Sequence, residues 1–380
     1  MSNSILFIFP VTFALVWYMI RKIIYISEKK HLFDEPVGNR KIHLASTPNL
    51  GGVAIFATML FVSFLFFPAM HVEGLRYICA CAVLLFFLGL TDDIVGVNPA
   101  KKLVAQVIVA LLITIPANMR ITGFHGFLGW QEMSYPVSII FSVLFILLVI
   151  NAFNLIDGID CLAGGIGLLT CCVFACYFWR MHEEGYFFLS VAMCGCLTGF
   201  LIFNRTPARI FMGDTGSLFL GFMASVLAIR FIGSGAVVPG AAASGGSAGG
   251  SAIAIVAALL IIPVYDTMRV FFVRLRRGKS PFAADKRHIH HLLLDLRLSH
   301  LQATSVLLVV NILALVLAFA TRDLAPEFQL LILAFFMLLM NGILLTVLSR
   351  QRNNGLKTKS RYVVMENVAE KGAIGQILNY

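Results

Sequence analysis

The sequence predicts an all-α, polytopic membrane protein with about eleven transmembrane helices. Apolar residues make up 59% of the 380 residues and charged residues only 13%, whereas soluble domains carry about 25% charged residues. The apolar residues form continuous runs of about 20, the length that an α-helix needs to cross a bilayer. They do not alternate as in a membrane β-barrel. Lipid is therefore the expected solvent for most of the chain.

The first apolar run begins at Ile5 and is followed, not preceded, by Arg21 and Lys22. A cleaved signal peptide carries its positive charge before the run, so we expect a retained first span with the N-terminus outside. Eleven spans make up a transmembrane domain, 1–348, and leave a basic cytoplasmic tail, 349–380. The predicted spans are roughly 4–24, 50–69, 76–91, 102–118, 136–153, 161–179, 186–203, 211–232, 252–272, 301–320 and 328–348.

The distribution of Lys and Arg supports this orientation. The segments predicted to be cytoplasmic contain 24 of the 29 basic residues, and such a bias marks the cytoplasmic side of a membrane protein. Attraction to an anionic leaflet also accounts for the net charge of +10. The charge therefore does not imply a nucleic-acid partner.

Acidic residues are concentrated at the predicted cytoplasmic ends of the spans. Asp92 and Asp93 close the third span, and Lys101 and Lys102 open the fourth. Adjacent Asp residues cannot share one helix face, so one can face a substrate while a Lys orients the other. The alternative is an ordinary charge cluster at the membrane interface, where Asp costs less than at mid-span.

A second polar cluster connects spans five and six. Asn151, Asn154, Asp157 and Asp160 follow one another at a spacing of three, which makes each side chain a neighbour of the next on a helix. Oxygen ligands this close suit a hard cation together with a sugar or base. A solvated polar face is the alternative, but the segment contains no basic residue and emerges from an apolar span.

A third cluster lies at the start of span eight, where Asp214 stands between two glycines and follows Asn204 by ten residues. Glycine lets a backbone approach a phosphate closely. Mg²⁺ prefers one or two carboxylates together with substrate phosphates. Asp214 is therefore a candidate Mg²⁺ ligand, and a helix N-cap is the structural alternative.

Two basic segments complete the pattern. Lys41 and His43, ahead of span two, could meet a nucleotide or lipid phosphate, or belong to a solvated basic loop. Basic residues suit a diphosphate, and zinc is disfavoured in the second segment because no Cys is near. That segment, 269–300, contains three clustered histidines: His288, His290 and His291.

Together, the motifs TDD-x₇-KK, NxxNxxDGxD and NxxPAxxFMGDTGS and the histidine-rich loop resemble the polyprenyl-phosphate N-acetylhexosamine-1-phosphate transferases. The resemblance runs from about Asp34 to His300 and implies ten or eleven spans around a cytoplasmic cleft. Ile289 interrupts the histidine run, as in the branch that starts O-antigen, enterobacterial common antigen or teichoic acid. Phospho-N-acetylmuramoyl-pentapeptide transferases, which carry three consecutive His, are the alternative within the family.

This resemblance implies transfer of N-acetylhexosamine-1-phosphate, GlcNAc-1-phosphate first of all, from a UDP-sugar to undecaprenyl phosphate, with release of UMP. It implies Mg²⁺ as cofactor, or Mn²⁺ in its place, and an active site on the cytoplasmic side of the bacterial inner membrane. It also allows a homodimer. An ion-coupled transporter is the distant alternative, but it would need acids near mid-span.

The resemblance also assigns roles, position by position. Asp214 matches the metal-binding aspartate, with Asn154 as its companion. Asp92 and Asp93 match the essential catalytic pair, and Lys102 matches the lysine that meets the diphosphate. The other matched positions would bind the sugar nucleotide or its phosphates: Asp157, Asp160, Asn204, His288, His290 and His291, with a looser match at Lys41 and His43.

Overall fold

The computed structural model describes residues 7–30, 47–66, 72, 74–124, 132–234, 250–278 and 288–377. Within these ranges the regular structure is all helix. The helices are α1 (Ile8–Lys30), α2 (Gly51–Phe66), α3 (Leu75–Val95), α4 (Pro99–Thr114), α5 (Tyr135–Ile156), α6 (Leu162–Arg180), α7 (Glu184–Asn204), α8 (Gly213–Gly233), α9 (Gly250–Leu259), α10 (Ile261–Arg276), α11 (Ile289–Asp295), α12 (His300–Ala320) and α13 (Pro326–Ile377).

Eight helices in the described part of the chain are long and apolar enough to cross a membrane: α1, α3, α5, α6, α7, α8, α12 and α13. α9 and α10 pass the same test as a pair bent by 73°. Each predicted span overlaps one helix or this pair, which confirms the all-α, polytopic prediction. The number of helices that cross the membrane, their orientation and the cytoplasmic location of the tail stay predictions.

α8 is the central helix and is buried along nearly its whole length. It packs against α2, α3, α5 and α6, and small residues let the backbones approach closely, as is common between membrane helices. A Cβ on Gly221 would lie 2.7 Å from Ile150 Cα, and one on Gly89 would lie 2.5 Å from Thr215 Cα. The close contacts bring the polar ends of α3, α5 and α8 together.

The loop before α8 is bonded to the start of α2. Gly51 N–H donates to Phe211 O at 2.9 Å, and Gly52 N–H donates to Met212 O at 2.8 Å. Phe211 N–H in turn donates to Pro48 O at 2.9 Å. These three bonds therefore hold Phe211 and Met212, which precede Asp214, against the start of α2.

The break between α9 and α10 falls at Leu260 and leaves backbone carbonyls without helical partners. Asn311 on α12 satisfies two of them, because its amide nitrogen donates to Ala258 O at 3.1 Å and Leu259 O at 3.3 Å. Pro263, in the first turn of α10, has no backbone N–H, so the break leaves no unpaired donor at this residue. α10 then continues along α5.

Candidate active site

Asp214 lies in the first turn of α8 and does not cap it. The N-cap residue is Met212, which makes no side-chain capping bond. Asp214 Oδ1 accepts a hydrogen bond from Asn154 Nδ2 at 2.8 Å, and its Oδ2 forms an ion pair with Lys102. The helix-cap interpretation of Asp214 is therefore wrong, and its carboxylate faces side chains from α4 and α5.

Lys102 is at the centre of the cluster. Its ammonium group contacts oxygens from three helices: Asp92 Oδ2 at 2.8 Å, Asn154 Oδ1 at 3.4 Å and Asp214 Oδ2. The side chain is only 14% exposed. The structure thus brings together one predicted catalytic residue, both predicted metal ligands and the predicted diphosphate ligand.

Asp93 caps α8 from the neighbouring helix α3. Its carboxylate accepts from Asp214 N–H at 2.7 Å, Thr215 N–H at 2.9 Å and the Thr215 hydroxyl at 2.6 Å. Gly213 makes room for it, because a Cβ there would lie 2.8 and 2.9 Å from the two carboxylate oxygens. Gly213 also has a φ of 70°, which favours glycine.

Asp92 and Asp93 therefore have different partners although they are adjacent. Asp92 Oδ1 accepts from Val97 N–H at 2.6 Å while Oδ2 binds Lys102. The divergence expected of neighbouring residues on a helix is present. Only Asp92 contacts Lys102, whereas the bonds of Asp93 go to the helix that carries Asp214.

The loop between α5 and α6 lies beside this cluster. The pKa of the Asp157 carboxyl is raised well above its usual range, first because it is withdrawn from water and then because Asp214 and Asp93 lie nearby. Asp160 is 5% exposed, and its Oδ1 lies 3.2 Å from His300 Nδ1. His300 was not among the predicted site residues.

Asn204, a predicted ligand of the sugar nucleotide, bonds to two stretches of backbone. Its Oδ1 accepts from Cys161 N–H at 2.7 Å, and its Nδ2 donates to Ile210 O at 2.8 Å. Both ends of the amide thus bond to the backbone of two loops that flank the acidic cluster. The geometry makes Asn204 a brace between these loops.

The histidine cluster packs on the same α5–α6 loop. His290 is 2% exposed, and its ring lies against Gly158, where any Cβ would collide with it. The ring of His288 is stacked on that of His290, with 5.6 Å between centroids, and the centroid of His291 lies 4.3 Å from that of His290. Burial and the neighbouring His291 lower the pKa of His290 to about 4.

Two further observations concern the predicted residues. Lys41 and His43 lie outside the described residues. Asn151 is engaged in packing, because its Nδ2 donates to Gln106 Oε1 at 2.7 Å and joins α5 to α4.

Asp266, which was not predicted, is a buried acid on α10 that contacts His288 at 2.9 Å. The signal in the sequence was an acid inside the predicted span 252–272.

The donors present fit a hard divalent cation. Asp92, Asp214 and the Asn154 oxygen offer only oxygen, the donor type that Mg²⁺ and Mn²⁺ prefer, and these groups already surround the Lys102 ammonium. Among the described residues, no three His, Cys, Asp or Glu side chains converge as a protein-only metal site would require. Phosphate oxygens would have to complete the coordination, which is the usual way in which Mg²⁺ binds.

Known proteins resemble most of the chain. The sequence pattern of glycosyl transferase family 4 matches residues 75–232. A probable undecaprenyl-phosphate N-acetylglucosaminyl 1-phosphate transferase of Bacillus subtilis (strain 168) is 33% identical over 319 residues, 80% of this chain and 82% of the relative.

Two other relatives support the same assignment. An undecaprenyl-phosphate alpha-N-acetylglucosaminyl 1-phosphate transferase of Yersinia pestis is 28% identical over 354 residues, 90% of either chain. A decaprenyl-phosphate N-acetylglucosaminephosphotransferase of Mycolicibacterium smegmatis is 31% identical over 283 residues, 70% of this chain and 69% of the relative. The chain therefore belongs to glycosyl transferase family 4, among the polyprenyl-phosphate N-acetylhexosamine-1-phosphate transferases that its motifs resemble.

Proposed function

We propose that the chain transfers GlcNAc-1-phosphate from UDP-GlcNAc to undecaprenyl phosphate and releases UMP. The observation that carries this proposal is the convergence of Asp92, Lys102, Asn154 and Asp214 from four helices at one end of an otherwise apolar bundle. A bundle that only spans lipid has no need of such a cluster, because ionisable groups there are costly. The names of the relatives supply the substrates.

In this mechanism Asp214 and the Asn154 oxygen would hold Mg²⁺. When bound, the cation supplies charge neutralisation of the diphosphate and of the departing UMP. Lys102 adds a second positive charge from a flexible side chain. Its ammonium already bridges Asp92 and Asp214, so it is placed to turn from these carboxylates to the phosphate oxygens when the sugar nucleotide binds.

The acceptor does not need a strong base. A phosphate monoester has a second pKa of about 6, so undecaprenyl phosphate is largely ionised at neutral pH. One of its oxygens attacks the β-phosphorus and forms a new P–O bond, while the bond from that phosphorus to the bridging oxygen breaks and UMP leaves. Asp92, which faces Lys102, would orient the acceptor, and Asp93 would hold the turn that carries Asp214.

The location of the site fits the difference between the two substrates. The acceptor is a membrane lipid and the donor is a soluble cytoplasmic nucleotide, so a site at the cytoplasmic end of the helices lets both arrive. We therefore propose the bacterial inner membrane and a role in cell-envelope polysaccharide synthesis, such as lipopolysaccharide or teichoic acid. The interrupted histidine cluster and the relatives favour this reaction over muramoyl-pentapeptide transfer.

The test is UMP release by purified protein given UDP-GlcNAc, undecaprenyl phosphate and Mg²⁺. We expect Asp214→Asn to lower the rate by about 100-fold or more, since groups that hold a catalytic metal typically cost 10–100-fold even in the outer shell. Glu132→Gln, an exposed residue outside the cluster, should retain the rate. Full activity of Asp214→Asn would contradict the assignment of Asp214 as a metal ligand. A faster transfer from another UDP-sugar would contradict UDP-GlcNAc as the donor.

A further inference from the structure

Asp266 is a buried acid that the mechanism above does not use. It lies on α10 and is 2% exposed. A carboxylate removed from water is costly unless hydrogen bonds replace the lost hydration. Its partners therefore indicate why it is present.

Three donors meet the Asp266 carboxylate. Oδ1 accepts from Ile289 N–H at 2.9 Å and from Arg269 Nη2 at 3.0 Å, and Oδ2 lies 2.9 Å from His288 Nδ1. Two of these partners belong to the start of α11. Asp266 thus fixes both the backbone and the first ring of the histidine cluster to α10.

The contact also fixes a proton. An ionised carboxylate can only accept hydrogen bonds, so Nδ1 of His288 must carry hydrogen and Nε2 is left for another partner. If a diphosphate approaches Nε2, a second proton there would make His288 a charged donor between two anions. Hydrogen bonds of this charged type are roughly twice as strong as neutral ones.

The orientation is transmitted to the α5–α6 loop. The rings of His288 and His290 are nearly parallel, with an interplanar angle of 6°, and His290 packs against Gly158, next to Asp157. A change in the His288 ring would therefore disturb the contact between the histidine cluster and the loop beside the carboxylates.

We propose that Asp266 is a positioning residue: it holds His288 with its Nδ1 protonated and favours a second proton on Nε2, so that the charged ring can donate to the diphosphate of the sugar nucleotide. The proposal rests on the proposed function for the identity of that ligand. It assigns Asp266 no contact with the substrate, so its effect must pass through His288.

Asp266→Asn is the informative substitution. The amide keeps the size of the side chain, and its oxygen can still accept from Ile289 N–H and Arg269. Its NH₂ group then faces His288 Nδ1, which must become an acceptor, so the proton moves to Nε2. Nε2 then still donates, but from an uncharged ring. We expect a KM for UDP-GlcNAc raised about tenfold, because a neutral hydrogen bond replaces a charge-assisted one that is roughly twice as strong, with a smaller change in KM for undecaprenyl phosphate.

A double-mutant cycle separates positioning from a general structural role. If Asp266 acts through His288, Asp266→Asn should raise the KM no further in a His288→Ala background. An equal rise in both backgrounds would overturn the proposal. Glu183→Gln is the matched control, because Glu183 pairs with Arg230 at 2.6 Å. Glu183 precedes α7, which has 21 residues and a length of about 30 Å, and Asn204 lies at the other end of that helix. This control should lower the unfolding midpoint without moving the KM.

A second variant covers the case in which Asp266→Asn does not fold. His288→Asn keeps a donor for Asp266 Oδ2 but has no equivalent of Nε2. We expect it to fold and to raise the KM as much as His288→Ala does. A wild-type KM in His288→Asn would overturn the proposal.

The tautomer can be read without activity from ¹⁵N chemical shifts of histidine-labelled protein. The signal that His288→Asn removes should show a protonated Nδ1 in the wild type and an unprotonated Nδ1 in Asp266→Asn. An unprotonated Nδ1 in the wild type would overturn the proposal even in an active enzyme. The expected shifts in a protein that releases no UMP would support it and would locate the failure in the proposed function.

Discussion

Asp93 near the end of α3 caps the N-terminus of α8 by accepting hydrogen bonds from the backbone and hydroxyl of Thr215. The first amides of a helix have no partners within it, and a negative charge at that end is favourable. A third bond, from Asp214 N–H at 2.7 Å, ties the cap to the predicted metal ligand. Asp93 therefore sets the position of Asp214, whereas Asp92 contributes a charge to the cluster.

Thr215→Val tests this cap, because it removes one hydroxyl bond to Asp93 and keeps the shape of the side chain. We expect the free energy of unfolding to fall by about 1.5–3 kcal/mol, the range for a hydrogen bond to a charged group. UMP release should also fall, since the turn that carries Asp214 loses support. Unfolding midpoints in detergent and initial rates measure the two effects.

Thr346→Val is the matched control for this experiment. The Thr346 hydroxyl donates to Gly342 O at 2.8 Å on an exposed face of α13. We expect no measurable change in stability or rate. If Thr215→Val behaved like this control, the cap would contribute nothing.

Lys102→Met tests whether the ammonium occupies the place of a divalent cation. Removing its charge leaves Asp92 and Asp214 without their cationic partner, so Mg²⁺ should bind more tightly to the substrate-free protein. We expect half-maximal thermal stabilisation at a Mg²⁺ concentration at least about tenfold lower, since charges 4 Å apart interact by about 4 kcal/mol near a protein surface. UMP release should nevertheless fall, because the diphosphate loses a positive contact.

Lys101→Met, which removes an exposed charge from the neighbouring position, should behave like the wild type in both measurements. Equal Mg²⁺ dependence of Lys102→Met and the wild type would show that the ammonium and the cation do not compete. Titrations with Mn²⁺ should rank the half-maximal cation concentrations of the same variants in the same order.

The sequence was sufficient to predict the cluster, because Asp92, Lys102, Asn154 and Asp214 all lie at span ends assigned to one side of the membrane. Carboxylates and an ammonium at one end of a helical bundle are expected to pair, because a partly buried charge is costly without an opposite charge beside it. The direction of each side chain was harder to predict. Asp93 binds backbone amides 121 and 122 residues away, and no pattern of residue types reveals a backbone partner.

Asn204 and Asp266 also have partners that the pattern of residue types does not reveal. Asn204 matches a substrate-binding position, and its amide also bonds to the Cys161 and Ile210 backbone, which the motif does not reveal. Asp266 lies inside the predicted span 252–272, and its partner His288 follows 22 residues later. The bend at Leu260 directs α10 so that the two meet, and a bend of this kind depends on tertiary partners such as Asn311.

The buried His290 should make stability depend on pH. Its pKa is lowered to about 4, while an unperturbed histidine has a pKa of about 6.5. As the pH falls below about 6.5, the unfolded chain takes up a proton on this ring and the folded protein does not. The stability is therefore complete above about pH 6.5 and declines towards pH 4, by roughly 3 kcal/mol in total, since one pKa unit corresponds to about 1.4 kcal/mol.

The measurement is the unfolding midpoint in detergent from about pH 7.5, above the window of His290 titration, to about pH 4.5, near its lower limit. We expect His290→Gln to flatten the decline. His182→Gln, an exposed histidine, should leave the slope as in the wild type, and any constant cost of either substitution drops out of a slope. An undiminished slope in His290→Gln would assign the acid sensitivity to other groups.

Gly52→Ala should disrupt the site from the start of α2, which is bonded to the loop that precedes Asp214. A Cβ at Gly52 would collide with the backbone at Gly216, and backbone cannot turn aside as a side chain can. We expect a loss of about 1–3 kcal/mol from overpacking, with a fall in UMP release because Gly52 N–H bonds to Met212 O just before the turn of Asp214. Gly342→Ala supplies the comparison, since nothing lies within 4 Å of a Cβ there and alanine favours a helix by about 0.5–1 kcal/mol. If both variants were equally stable and active, α2 and α8 would not be in the close contact that holds Asp214 in place.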